Sequence, residues 1–210
     1  MNLSSLAAIG LAYHLVSRLA YVLYIGIALK RQEDTACFTR RYGATEAFRR
    51  FRRTAAILMN NDAVGFVVLC FITRGTLPLG VIDLPRAAVI ATGAALLLVG
   101  VVIKLWAAAT LGAGAYYWRD FFAPEGHVVT RTAGPYKFLK NPMYTVGYLP
   151  TYGLALVTGS LPALAAALFD QAAILAFHQL VEKHHVARVA LDNGAGVAQN
   201  EGSPRRRPGP

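Results

Sequence analysis

The residues best suited to ligand chemistry are concentrated between Gly112 and Tyr144. Gly112 and Gly114 would let a ligand approach the backbone closely, because glycine has no side chain. Aromatic and polar residues follow them: Tyr116, Tyr117, Trp118, Arg119, Asp120, Phe121, Phe122, Glu125 and His127. Aromatic faces beside carboxylates suit a cation such as a sulfonium or an ammonium. This part of the chain is therefore a candidate site for a cationic ligand.

The stretch from His127 to Gly147 is expected to form a stiff turn. Its prolines, Pro135 and Pro142, each fix φ and lack an amide donor, so nearby backbone groups need partners from elsewhere. Two glycines, four basic residues and two tyrosines complete an unusual composition for a membrane loop. We interpret the stretch as a segment that holds a ligand.

Further along the chain, ionisable residues occur inside or at the end of an apolar run. His178 and Glu182 are four residues apart, so a helix would place them on one face. Asp170 lies deeper, where an ionisable group is costly and marks either a functional residue or a hydrogen bond to another helix. Arg18, inside the first apolar run, is expected to be paired or to reach an interface.

The composition is that of a membrane protein. The 210 residues are 55% hydrophobic and 15% charged, and the formal net charge of +10 lies in blocks beside apolar runs. Such blocks favour contact with anionic headgroups rather than with nucleic acid. Cys37 and Cys70 are far apart and have no metal-ligand spacing, so neither a disulfide nor a metal site is predicted.

The elements that must position these residues are predicted to form an all-α, polytopic transmembrane bundle of about five spans. The apolar runs are Leu3–Leu29, Ala55–Thr73, Arg86–Leu111, Met143–Val157 and a last run that ends at Val181. The fourth is short for a span, so the last two are expected to form a helical hairpin. We divide the chain into an N-terminal three-span region (1–110), a loop-and-hairpin core (111–191) and a disordered tail (192–210).

The basic residues predict the orientation. Residues 30–54, residues 111–141 and the chain from Lys183 onward carry most of the Lys and Arg, and five spans place all three on one side. That side is predicted to be cytoplasmic, with the N-terminus outside and the 30–54 loop lying on anionic headgroups. Asn60, Asn61 and Asp62 are expected to form hydrogen bonds between helices, or a polar wall of the site.

The ordered motifs resemble one group of enzymes. Gly134-Pro135-Tyr136, then Lys140-Asn141-Pro142-Met143-Tyr144, an apolar hairpin and a Glu at the end of the last helix are similar to integral-membrane methyltransferases. That group includes the phosphatidylethanolamine N-methyltransferases and the isoprenylcysteine carboxyl methyltransferases. Asn141 before the proline resembles the phospholipid branch, since the isoprenylcysteine branch commonly has Arg-His there.

The resemblance implies S-adenosylmethionine as the methyl donor. Gly112 and Gly114 correspond to the family's Gly-x-Gly motif, and Glu182 to the first residue of its acidic pair, with Lys183 at the second. The other implied cofactor-binding residues are His127, Gly134, Pro135, Tyr136, Lys140, Asn141, Pro142 and Tyr144.

The resemblance also implies a phospholipid amine as acceptor, and we expect Tyr117, Trp118, Asp120 and Tyr148 to contact its headgroup. The amine must lose a proton, and Glu182, Asp170 and His178 are the candidate acceptors, in that order. Two alternatives stay open. The acceptor could be an isoprenoid carboxylate, a small thiol or another hydrophobic molecule, or the chain could be a membrane scaffold that has kept the fold without the activity.

Overall fold

A computed structural model describes residues 3–79, 84–122 and 133–188, and these residues form helices and turns without strands. The α-helices are α1 (Leu3–Thr35), α2 (Cys37–Tyr42), α3 (Ala44–Ile72), α4 (Arg86–Tyr116), α5 (Leu149–Thr158) and α6 (Leu161–Phe177). Short 3-10 turns occur at Arg119–Phe122, Gly134–Lys137 and Val146–Tyr148. After α6 a π-helical turn, His178–Glu182, leads into helix that continues to Arg188. The predicted all-α bundle is confirmed.

Four helices in the described part of the chain are long and apolar enough to cross a membrane. They span Ser4–Thr35, Ala44–Ile72, Arg86–Phe122 and Leu161–Arg188. α5 has only ten residues, whereas a full crossing needs about 20. The short fourth run predicted from the sequence is therefore a half-length helix.

The closing hairpin is confirmed as well. Gly159 has a φ of 64°, a left-handed conformation that glycine adopts readily and that ends α5. Ser160 then caps α6, its hydroxyl accepting a hydrogen bond from the Ala163 amide at 3.0 Å. The helix before the turn begins at Leu149 rather than at Met143, because the residues after Pro142 form 3-10 turns instead.

α1 and α3 run antiparallel and are joined by polar side chains. The Tyr13 hydroxyl donates to Asn61 Oδ1 at 2.8 Å, and Asn61 Nδ2 donates to Ser17 Oγ at 2.7 Å. The predicted role of Asn61 between helices is thereby confirmed. Asn60 instead donates to the Ala56 carbonyl of its own helix at 2.8 Å.

The three basic regions meet at one end of the bundle. Gln32 Nε2 donates to the Phe121 carbonyl at 3.4 Å, and His185 lies 3.1 Å from Glu33 Oε1 and stacks on the Phe121 ring. Residues 30–54 are mostly helical here, in the end of α1, in α2 and in the start of α3, rather than a loop. The predicted disordered tail, 192–210, lies outside the described residues.

α4 and α5 pack closely because small residues face each other. Gly93 lies against the Gly153 carbonyl and Gly100 lies against the Pro150 ring. A side chain at any of the three glycines would push the helices apart. This contact sets the depth of α5 beside α4.

We expect Gly153→Ala to lower the apparent Tm in detergent by roughly 5 °C, because overpacking costs about 1–3 kcal/mol. The new Cβ would lie 2.5 Å from the Gly93 carbonyl oxygen and 2.6 Å from the Leu97 amide nitrogen, both backbone atoms. Gly26→Ala is the matched control, since its Cβ would meet nothing nearer than the Phe177 ring at 3.8 Å. Equal Tm values for the two variants would contradict the packing argument.

Candidate active site

A cleft at the basic end of the bundle brings the two halves of the chain together. We call it the inner cleft. Its lining residues are Tyr21, Met59, Lys104, Leu111, Ala115, Tyr116, Trp118, Tyr136, Asn141, Met143, Tyr144, Tyr148, Ile174 and Glu182. Four predicted cofactor residues, Tyr136, Asn141, Tyr144 and Glu182, therefore share one cavity. Trp118 and Tyr148, predicted as headgroup contacts, line it too.

The segment from Gly134 to Tyr148 is held against α4. Gly134 has a φ of 57° and packs on Thr110 and Trp106, where a Cβ would collide with the Thr110 hydroxyl. Pro135 and Pro142 are both buried, so the predicted stiff turn is anchored at two points. The segment thus runs along α4 from Thr110 to Gly100, a distance of about 15 Å at 1.5 Å per residue.

Hydrogen bonds from the hairpin fix the second tyrosine of this segment. Gln171 Nε2 on α6 donates to the Tyr144 carbonyl at 3.2 Å, and Gln171 Oε1 accepts from the Tyr152 hydroxyl at 2.7 Å. The Tyr144 ring lies edge-on to the His178 ring at a centroid distance of 5.5 Å. Tyr144 is therefore positioned by both helices of the hairpin.

The glycine pair shapes the cleft without lining it. Gly112 has a φ of 72° and kinks α4 near its end. A Cβ on Gly114 would meet the Arg119 side chain, whereas Ala115 and Tyr116, which follow it, line the cleft. Lys140, also predicted to bind the cofactor, is exposed. His127 lies outside the described residues.

Glu182 and His178 form a pair at the end of α6. Glu182 is buried, and its Oε2 lies 2.8 Å from His178 Nδ1. Both belong to a π-helical turn, a local irregularity that is frequent at functional sites. Lys183 is exposed, donates to Gln179 Oε1 at 3.4 Å and is not among the residues lining the cleft. Glu182 thus presents a carboxylate to a cleft rich in aromatic side chains.

Asp170 is part of a buried charge network instead. Arg18 NH2 lies 2.9 Å from Asp170 Oδ2 and 2.7 Å from Asp62 Oδ2, and His14 Nε2 lies 3.0 Å from Asp170 Oδ2. Arg18 NH1 also donates to the Tyr148 hydroxyl at 3.1 Å. The predicted pairing of Arg18 is confirmed, and Asp170 forms the hydrogen bond to another helix that was one of its two predicted roles.

A second cavity, of about 440 Å³, lies beside the inner cleft between α3, α4 and the start of α5. We call it the lateral cavity. It shares Tyr21, Met59, Lys104, Tyr116 and Tyr148 with the inner cleft. Tyr117 lines only the lateral cavity, and Asp120 lines neither. Two chambers therefore meet at a junction of five side chains.

Some residues at this junction were not found by sequence reasoning. Lys104 is a cation inside an otherwise apolar part of α4, which is the usual signal of a functional membrane residue. Tyr21 and Met59 carried no such signal, since both are common in apolar helices. Burial raises the pKa of the Tyr148 phenol to about 12, so this shared residue offers a neutral hydroxyl.

The side chains that line the inner cleft suit a ligand that carries a positive charge and polar groups. Six aromatic residues line the cleft: Tyr21, Tyr116, Trp118, Tyr136, Tyr144 and Tyr148. Glu182 adds a buried carboxylate. Asn141 Nδ2 is buried and, within the described ranges, has no hydrogen-bond partner, so it can donate to a ligand oxygen. These groups match the aromatic and acidic environment that favours organic cations.

Comparisons with known proteins agree with this chemistry. Residues 88–189 match the family model of the phospholipid methyltransferases. A phosphatidylethanolamine N-methyltransferase of Ajellomyces capsulatus (strain H143) is 30% identical over 163 residues, which are 73% of this chain and 17% of that protein. One from Pyrenophora tritici-repentis (strain Pt-1C-BFP) is 37% identical over 98 residues, 47% of this chain and 11% of that protein. No solved structure matches.

The chain spans less than a fifth of the length of these curated relatives. The matched region contains nearly all of α4, the segment from Gly134 to Tyr148 and the α5–α6 hairpin. Together these elements supply most of the residues that line the inner cleft. Together with the four membrane-length helices, the match indicates a membrane protein. The resemblance to the phospholipid branch is confirmed. Over residues 88–189, just under half of its length, the chain is similar to the phospholipid methyltransferase family.

Proposed function

We propose that the chain transfers a methyl group from S-adenosylmethionine to the amine of phosphatidylethanolamine or of its methylated derivatives. The observation that carries this proposal is the inner cleft, where Tyr136, Asn141 and Tyr144 of the family motifs meet Glu182 from the last helix. The relatives named for this activity and the family match over residues 88–189 support it.

Within this proposal, the aromatic walls and Glu182 hold the cationic donor, and Asn141 Nδ2 donates to one of its oxygens. When bound, S-adenosylmethionine supplies a methyl carbon that is already activated by positive sulfur, so the protein needs no covalent nucleophile. The role of the chain is to position the amine nitrogen in line with that carbon and to exclude water. Buried side chains such as Trp118 and Tyr148 suit both tasks.

Only a neutral amine has the lone pair that would form the new nitrogen–carbon bond as the sulfur–carbon bond of the donor breaks and its electron pair stays on the departing sulfur. Glu182 is the first candidate for accepting the amine proton, because it is buried in the cleft wall. His178, 2.8 Å from Glu182, can then pass the proton toward the end of the bundle, since its side chain is 23% exposed. Asp170 lines neither chamber and is paired with Arg18 and His14, so it is the weaker candidate.

The same proposal assigns the compartment. The basic end of the bundle faces the cytoplasm, as the distribution of Lys and Arg favours, and residues 111–191 form the methyltransferase core. The arginines of α2 and of the first turns of α3 would then contact anionic headgroups. Donor enters from water at this end, and acceptor enters from the bilayer.

Lipid mass spectrometry tests the proposed reaction. The chain is expressed in a host that contains phosphatidylethanolamine but makes no methylated derivative, and lipid extracts are compared with those of an empty-vector strain. We expect mono-, di- or trimethylated phosphatidylethanolamine only where the chain is present. Methylation of a different hydrophobic molecule would move the acceptor to that class, and no methylated lipid would remove this function.

Donor binding gives a separate prediction. We expect Asn141→Ala to weaken S-adenosylmethionine binding by roughly tenfold or more, because a hydrogen bond to a charged group contributes about 1.5–3 kcal/mol. Isothermal titration calorimetry on detergent-purified protein measures the change. Phe138→Ala is the control, since Phe138 is nearby in the chain but 74% exposed. Unchanged affinity in Asn141→Ala would remove Asn141 from the donor site, and no binding by the unaltered protein would favour a scaffold.

A further inference from the structure

Lys104 has no role in the arrangement described so far. It lies in the apolar helix α4, where Arg86 is the only other charged residue. Its Nζ lies 5.3 Å from the centre of the Tyr148 ring, and within the described residues it forms no ion pair. A cation at such a position is costly and is retained for an anionic partner or a functional reason.

The charges around Lys104 favour an anionic partner. Three side chains with charged groups line the lateral cavity, namely Arg18, Asp62 and Lys104. Arg18 is already paired with Asp62 at 2.7 Å and with Asp170 at 2.9 Å, so among the described residues Lys104 is the cation on this wall that has no carboxylate within ion-pair distance. His14 and Asp170 also face the Arg18 network, but neither lines the cavity.

The rest of the lateral cavity suits hydrocarbon. Phe66, Val67, Leu97, Val101 and Leu154 line it. Val67 and Val101 are exposed, which places an edge of the cavity on the outer surface of the bundle, where lipid would be. An amphiphile could therefore enter sideways, with its apolar chains in this cavity and its polar end toward the junction.

We propose that Lys104 binds the phosphate of the acceptor phospholipid at the junction of the two chambers. This inference rests on the proposed function and deepens it. Lys104 lines both chambers, so a phosphate at its ammonium group has acyl chains on the side of the lateral cavity and the amine on the side of Glu182. The ammonium is a compact donor of up to three hydrogen bonds, which suits a phosphate.

Lipid binding measured without the methyl donor tests the assignment directly. Native mass spectrometry in detergent compares retention of phosphatidylethanolamine, phosphatidic acid and diacylglycerol of equal chain length. We expect the unaltered protein to bind both phospholipids at least tenfold more tightly than diacylglycerol. Lys104→Met should abolish that preference, and Lys104→Arg should retain most of it. Inorganic phosphate at millimolar concentration should not displace the lipid, which distinguishes a headgroup site from a site for the free ion.

Leu105→Met is the matched control, because Leu105 is adjacent on α4 but 64% exposed and lines neither chamber. Wild-type phosphate preference in Lys104→Met would overturn the inference, as would displacement by inorganic phosphate. The two proposals also fail separately. Lys104-dependent binding without methyl transfer would keep this site and remove the proposed function. If Lys104→Met still transfers methyl groups with an unchanged acceptor KM, the proposed function is kept and Lys104 is removed from the acceptor site.

Discussion

Replacing Arg18 with methionine is expected to destabilise the protein by about 3–5 kcal/mol, the usual cost of removing one partner of a buried ion pair. Arg18 NH2 contacts both Asp62 Oδ2 and Asp170 Oδ2, at 2.7 and 2.9 Å. Its loss leaves two buried carboxylates, Asp62 and Asp170, beside His14, whose ring nitrogens lie 3.8 Å and 3.0 Å from them. Thermal unfolding in detergent should show a fall in apparent Tm on the order of 10 °C.

Two further variants make this prediction specific. Arg49→Met removes an arginine whose side chain is 76% exposed and paired with Glu46, so it should change stability by less than about 1 kcal/mol. Adding Asp62→Asn and Asp170→Asn to Arg18→Met removes the uncompensated charges and should recover part of the loss. A Tm for Arg18→Met equal to that of Arg49→Met would mean that the network contributes little.

The largest effect on activity is expected for Glu182→Gln. The amide keeps the shape of the side chain but cannot accept a proton and no longer attracts a cation. Proton acceptors contribute about 10²–10⁴-fold to rate, so methyl transfer should fall at least 100-fold. A radiolabelled methyl-transfer assay with phosphatidylethanolamine in mixed micelles measures the rate, and calorimetry reports any separate loss of donor affinity.

Glu33→Gln is the matched control for Glu182→Gln. Glu33 is likewise a carboxylate bonded to a histidine, His185, at 3.1 Å, and it does not line the inner cleft. It should reduce stability without a 100-fold loss of rate in the protein that remains folded. If Glu182→Gln retains rate and donor affinity, the buried carboxylate is neither a proton acceptor nor a donor contact.

Local patterns were enough to find much of the candidate site. The four-residue spacing of His178 and Glu182 predicted a shared face, and the two side chains do meet. The motif residues Tyr136, Asn141 and Tyr144 were chosen by resemblance, and they line one cleft. These features are determined by residues close together in the chain, so they can be predicted from the sequence.

Long-range pairings could not be found in this way. Arg18 and Asp170 are 152 residues apart, and His14 and Asp170 are 156 apart. The sequence indicated that each needed a partner, but any polar group on another helix would have satisfied that need. The wall shared by the two chambers also depends on packing between distant parts of the chain, since Tyr21, Met59 and Lys104 come from three helices.

Helix boundaries were predicted less well because local and tertiary preferences differ. The basic composition of residues 30–54 suggested a surface loop, yet α1 extends to Thr35 and α3 begins at Ala44. Aromatic packing of Phe51 on Tyr24 and Phe122 favours the helical form. Conversely, Met143 was predicted to begin a helix that actually starts at Leu149.

The half-length helix α5 has a consequence for hydration. The chain before it passes alongside α4 from Thr110 to Gly100 in tight turns, held by short-range backbone hydrogen bonds such as the one from the Gly147 amide to the Pro142 carbonyl at 2.7 Å rather than by a regular helical ladder. Hydrocarbon does not tolerate such backbone unless protein covers it or water reaches it. The turns before α5 therefore need cover from α4 and α6 or access to water, and water reaching them would let the proposed water-soluble donor and lipid acceptor meet without either one leaving its own phase.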